Sequence, residues 1–145
     1  MIKQLGLPIG FSFIIWIGAI SFFIFFSKQL QLDVKESKFV YLFLILQLAT
    51  LILLVFASFL YIKIDPSLLA GVKLALFGPA IGLFCDTFVL WKYALFFPEL
   101  NEKEVIGFAT WMAFAYVLFL FIPLLMTRER IKQLIRNKRG VSYGK

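Results

Sequence analysis

Long uninterrupted apolar runs, and not alternation, dominate this chain. Gln4–Ser27, Phe39–Ile62 and Val105–Thr127 hold no charged residue. At about 1.5 Å per residue, each is long enough to cross a hydrocarbon core of about 30 Å. A fourth run, Leu74–Trp91, is broken once, by Asp86, and read as one element it is about 27 Å long, just enough for a span. Only helices and closed barrels satisfy their backbone in lipid, and runs of this length without turns exclude a barrel. The pattern therefore predicts an all-α fold, an integral membrane four-helix bundle with short loops. Its spans are expected at about 5–27, 38–62, 68–92 and 103–127 within a domain 1–127, and a basic juxtamembrane helix follows in a tail 128–145.

Polar residues at the run ends predict the helix starts. In "DVKE", Asp33 and Glu36 have capping-box spacing, so the second helix is expected to begin before its apolar run. "DPSL" suits a start with Asp65 at the N-cap and Pro66 in the first turn. "NEKE" repeats the box with Asn101 and Glu104. Pro98 in "FFPEL" marks a turn between the third and fourth spans. The first run is too long for a secretory core and meets no small-residue cleavage site, so it is expected to be a retained span.

Composition agrees with a membrane origin: 62% of the 145 residues are hydrophobic, 16% are charged and 19 are Phe. A soluble domain needs more polar surface than this provides. The formal charge of +7 lies mostly after Met126, where Arg128, Arg130, Lys132, Arg136, Lys138 and Arg139 crowd together. The positive-inside rule puts this tail, and with four spans both termini, on the cytoplasmic side of a multi-pass cell-membrane protein. Such a tail suits anionic lipid headgroups. It lacks the interleaved aromatics and the fold that nucleic-acid binding needs, so none is expected. Tyr41, Tyr61, Trp91, Tyr93 and Trp111 stand near span ends, where amphipathic rings favour the interface.

Asp86 carries the main chemical question. Gly71, Ala75, Gly78 and Gly82 follow one another at steps of four, three and four, which keeps them on one face of the third helix. The next step lands on Asp86. Gly78 and Gly82 form a small-xxx-small pair that lets another backbone approach, inside the bundle or between subunits. The acid is thus expected on a protein-facing side, about 9 Å from Lys92 at the outer end of the span. Lys73 lies too far along the helix to pair with it and is expected to extend toward the cytoplasmic headgroups. Candidate polar neighbours are Gln47, Thr50, Thr110, Tyr116, Ser12, Ser21 and the indoles of Trp16, Trp91 and Trp111, with Gln47 and Thr110 favoured by depth. An ionisable group at such a depth points to protons, cations or a cationic substrate. It equally suits a hydrogen bond across a helix interface, and both readings stay open.

There is no His and a single Cys, Cys85, which removes the usual zinc and haem ligand sets and His-based catalysis. No phosphate-binding or nucleophile motif appears, so no catalytic residue, metal or cofactor is expected and enzymatic activity is not favoured. "DPSLLAG", "GLFCD" and "FFPEL", spread over Asp65–Leu100, together resemble small bacterial four-helix membrane proteins grouped as a family of unknown function. In that family an acid in the third span precedes a Phe-Pro turn. The resemblance implies the four-span fold and gives no role to Asp86, Phe97 or Pro98. Two functions fit these features: an oligomeric transporter or permeation unit for a cation, proton or cationic small molecule, and a non-catalytic accessory subunit docked on a membrane partner.

Overall fold

The computed structural model describes the backbone of residues 2–142, with side chains over 6–129 and at Lys132 and Arg136. Every regular element is helical: α1 (Ile2–Leu30), α2 (Phe39–Ile64), α3 (Ala70–Trp91), the single turn α4 (Tyr93–Phe96) and α5 (Glu102–Ser142). Helices α1, α2, α3 and the first part of α5, Glu102–Glu129, are long and apolar enough to cross a membrane. This is the all-α four-span bundle that the apolar runs predict. Large apolar side chains such as Ile14, Phe25, Leu48 and Phe84 stand exposed around it, a surface that water would penalise and acyl chains accept. The protein is a small polytopic membrane protein in contact with the bilayer.

The helices do not pack evenly. α3 lies chiefly against α5, α2 against α5 and α1 against α3, whereas α1 and α2 barely meet. A seam is therefore left open between the first two helices. At the α4 end, Phe23, Phe97, Phe108 and Trp111 form an aromatic plug, with the rings of Phe23 and Phe108 centred 4.0 Å apart. The Phe-Pro turn now has a structural reason: it drives Phe97 into this plug, where it is buried.

Two expected helix starts are corrected, and one stands. Asp33 does not open α2; its carboxylate accepts from the Lys35 N–H at 2.8 Å and its carbonyl from the Glu36 N–H at 3.1 Å, and the helix begins only at Phe39. Asp65 likewise accepts from the Ser67 N–H at 2.9 Å within a turn, and α3 begins at Ala70. In both places a short acid bonds its own local backbone and so stabilises a turn that competes with the helix. The Asn101–Glu104 box does form, with reciprocal bonds of 3.0 and 2.9 Å.

Lys73 finds partners in the turn before α3. Its ammonium donates to Asp65 at 3.0 Å and to Ser67 Oγ at 3.0 Å, while the Tyr61 hydroxyl donates to the same Asp65 carboxylate at 3.1 Å. Burial alone would push the Asp65 carboxyl up, but the Ser67 N–H, the Lys73 ammonium and the Ser67 and Tyr61 hydroxyls outweigh it and hold it below its ordinary range. Tyr61 and Trp111 are buried and so are not interfacial belt residues, unlike the exposed Tyr41 and Trp91.

A backbone detail fixes the first loop. Gln31 has φ 41°, a left-handed conformation that ends α1 and turns the buried Leu32 into the plug. The Leu32 carbonyl then rests against Gly107 of α5, in the space a Cβ would take. Helix α5 has 41 residues and continues unbroken through the basic stretch. Arg128, Lys132 and Arg136 are exposed there, with Lys132 paired to Glu129 at 2.8 Å. The side chains of Arg130, Lys138 and Arg139 lie outside the described residues.

Candidate functional site

The site grows from the small-residue face of α3. Gly71, Ala75, Gly78 and Gly82 are all buried. At Gly71 a backbone atom is the nearest neighbour: a Cβ there would meet the Pro123 carbonyl and the Thr127 side chain. At Gly78 the neighbour is the Phe119 ring, and at Gly82 the Tyr116 ring. At Gly78 and Gly82 the nearest atoms are those of aromatic rings, which α5 presents at those levels. All three contacts are within the chain.

Gly82 decides what happens to Asp86. With no side chain one turn earlier, the Tyr116 ring lies flat against α3, and its hydroxyl donates to Asp86 Oδ2. From the other side the Trp16 indole N–H donates to Oδ1 at 2.7 Å. Asp86 is 3% exposed, and through these two bonds it ties α1 and α5 to α3. Neither donor carries charge.

Gln47 and Thr110, favoured as partners by depth, lie elsewhere. Gln47 is buried and its Nε2 donates to the Trp111 carbonyl at 3.0 Å. Thr110 is exposed and its hydroxyl donates to the Ile106 carbonyl at 2.8 Å. Depth ranks neighbours along the membrane normal but says nothing about which way each residue faces, and Thr110 faces outward. Beside Gln47 the Trp111 indole donates to Thr50 Oγ1 at 3.2 Å, which joins α2 to α5. In α1, by contrast with α3, a Cβ at Gly6, Gly10 or Gly18 would meet nothing within 4 Å.

The α1–α2 seam opens onto this carboxylate. A half-open cavity of about 500 Å³ runs inward between the two helices. Its rim carries exposed apolar residues of α1 and α2, among them Ile14, Phe22, Leu53 and Phe56. Its floor is made by buried residues of α3 and α5, with Gly78, Gly82 and Asp86 from the former. The cavity thus opens at the exposed apolar surface of α1 and α2, within their membrane-spanning lengths. Its walls are overwhelmingly apolar, and among the described residues Asp86 is the sole charged group lining it. A volume of this size lies within the range of about 300–1,000 Å³ typical of small-molecule sites.

Residues legible from sequence as candidates, Trp16 and Tyr116, become the two partners of Asp86. Gly107 was not legible as important. Its signal was a glycine inside an apolar helix, which costs about 1 kcal/mol in helix propensity and so asks for a packing reason.

Comparison with known proteins gives one informative relative. No family model matches the chain, and no solved structure does. The "Uncharacterized protein YnzE" of Bacillus subtilis (strain 168) is 41% identical over 98 residues, which cover 68% of this chain and 97% of that protein. Identity of this level over nearly the whole of a relative reflects common descent. The chain belongs to the same family of bacterial proteins as YnzE.

Proposed function

We propose that this protein is a small transport or permeation unit in which Asp86 holds a proton or a cation within the bilayer. One observation carries the reading: an acid with no basic partner among the described residues lies on the floor of a cavity that opens laterally. A carboxylate that served only to join helices would need no such access. In this reading Gln47 and Thr110 hold no ligand. The basic residues after Met126, Arg128 to Arg139, meet anionic headgroups on the cytoplasmic side, where both ends of the four-span unit lie. Four helices enclose little volume, so a homo-oligomer or a membrane partner completes the path.

Currents from proteoliposomes test the reading, with protons, sodium, potassium and small ammonium ions offered in turn. The native protein is expected to give a current with at least one of them, and Asp86→Asn to abolish it while eluting and melting like the parent. The amide keeps the shape and still accepts one of the two bonds but cannot carry the charge. Full activity in a folded Asn variant sinks the reading. An accessory subunit would give no current with any ion and would co-purify with a membrane protein.

Orientation has its own test. With Cys85 replaced by Ser, a membrane-impermeant thiol reagent added outside is expected to label cysteines at Glu36 and Lys103 but not at Leu68 or Lys132. These four positions are exposed. Labelling at Lys132 from outside would invert the assignment.

A further inference from the structure

We infer that the cavity between α1 and α2 binds a lipophilic organic cation that enters sideways from the bilayer. The inference rests on the transport reading and names the ligand class for it. It begins with what the cavity lacks. A hard inorganic cation keeps about six to eight oxygen ligands, whereas this cavity offers the Asp86 carboxylate and the hydroxyls of Ser12, Thr50 and Tyr116. Of these, Thr50 Oγ1 already accepts from the Trp111 indole at 3.2 Å, which takes up a lone pair that a cation would need. Among the described residues no cluster of acids or thiols could hold a metal ion. An ion that must shed its hydration shell gains too little here.

A cation with diffuse charge and an apolar body faces the opposite balance. It loses little hydration on entry, and the apolar walls suit its body. The rings of Trp16 and Tyr116 bond Asp86 directly, and those of Trp111, Phe108 and Phe119 line the same cavity; aromatic faces attract a desolvated cation. No basic side chain lines the cavity among the described residues, so no fixed cation already neutralises the acid. The route follows from burial: the rim residues of α1 and α2 are exposed to lipid, while the floor on α3 and α5 is closed. Such a molecule already concentrates in the bilayer and reaches the mouth without crossing water.

Tetraphenylphosphonium is the probe, titrated into the detergent-solubilised full-length protein and followed by calorimetry. Saturable binding is expected. Asp86→Asn should weaken it by about tenfold or more, the scale of losing a charged contact in a desolvated site. Gly18 lines the cavity, and a Cβ there would meet nothing within 4 Å, so its first side-chain atom has room. Gly18→Phe should therefore fill the mouth without disturbing the fold and also weaken binding about tenfold. Gly10, equally open but outside the cavity, is the control, and Gly10→Phe should leave affinity unchanged. Binding that is unmoved by both Asp86→Asn and Gly18→Phe is partition into the micelle and overturns the inference. Absence of saturable binding, alongside an Asp86-dependent proton or inorganic-cation current, overturns the inference and leaves the transport reading standing. Absence of both binding and current overturns both.

Discussion

Replacing Gly107 or Gly71 by alanine is expected to cost the protein much of its folded population. At each position the added Cβ would overlap a backbone carbonyl, that of Leu32 at Gly107 and that of Pro123 at Gly71. A backbone carbonyl cannot rotate away, so the helix or the loop must move. Overpacking of this kind costs about 1–3 kcal/mol and sometimes more. Gly78→Ala and Gly82→Ala press instead on the rings of Phe119 and Tyr116, which can swing, and they are expected to be milder. Leucine at any of the four should be worse than alanine. Thermal unfolding in detergent, with the monodisperse yield, orders the series. If Gly107→Ala and Gly71→Ala melt like the parent, the close contacts described for α5 are not those of the folded protein.

Asp86→Leu is expected to loosen α1 from the bundle, with a larger effect than Asp86→Asn. Leucine leaves the Trp16 indole and the Tyr116 hydroxyl without their acceptor, and an unsatisfied buried donor costs about 1–3 kcal/mol. Membrane measurements temper the figure, since interhelical polar pairs there average about 0.6 kcal/mol with a maximum near 1.7. A loss of about 1–2 kcal/mol is therefore expected, read as a lower melting point and as faster proteolysis or labelling along α1. Tyr116→Phe should share part of the loss and Asp86→Asn little of it, because the amide oxygen still accepts one bond. Equal stability of the Leu and Asn variants would show that the carboxylate does not hold α1 in place.

The membrane spans were legible in the sequence because the bilayer itself sets the criterion: a segment of sufficient apolar length must cross, and its backbone must bond within itself. The Asn101–Glu104 cap was equally legible, since both partners lie within one turn. The side of α3 that faces protein followed from the spacing of Gly71, Ala75, Gly78 and Gly82, and with it the burial of Asp86. Local reading failed where an acid had two local choices, and Asp33 and Asp65 took the turn.

Which side chain reaches Asp86 depends on how α1 and α5 are rotated and shifted against α3, and no one-dimensional pattern contains that rotation. Gln47 and Thr110 stand at suitable depth yet turn to other partners, while Trp16 and Tyr116 arrive from opposite sides. The seam between α1 and α2 exists because each packs preferentially on a different neighbour. Gly107 matters only because the first loop happens to lie across it. Length and polarity act on each segment alone and decided the spans; the cavity and its carboxylate arise between segments, and only their packing decided those.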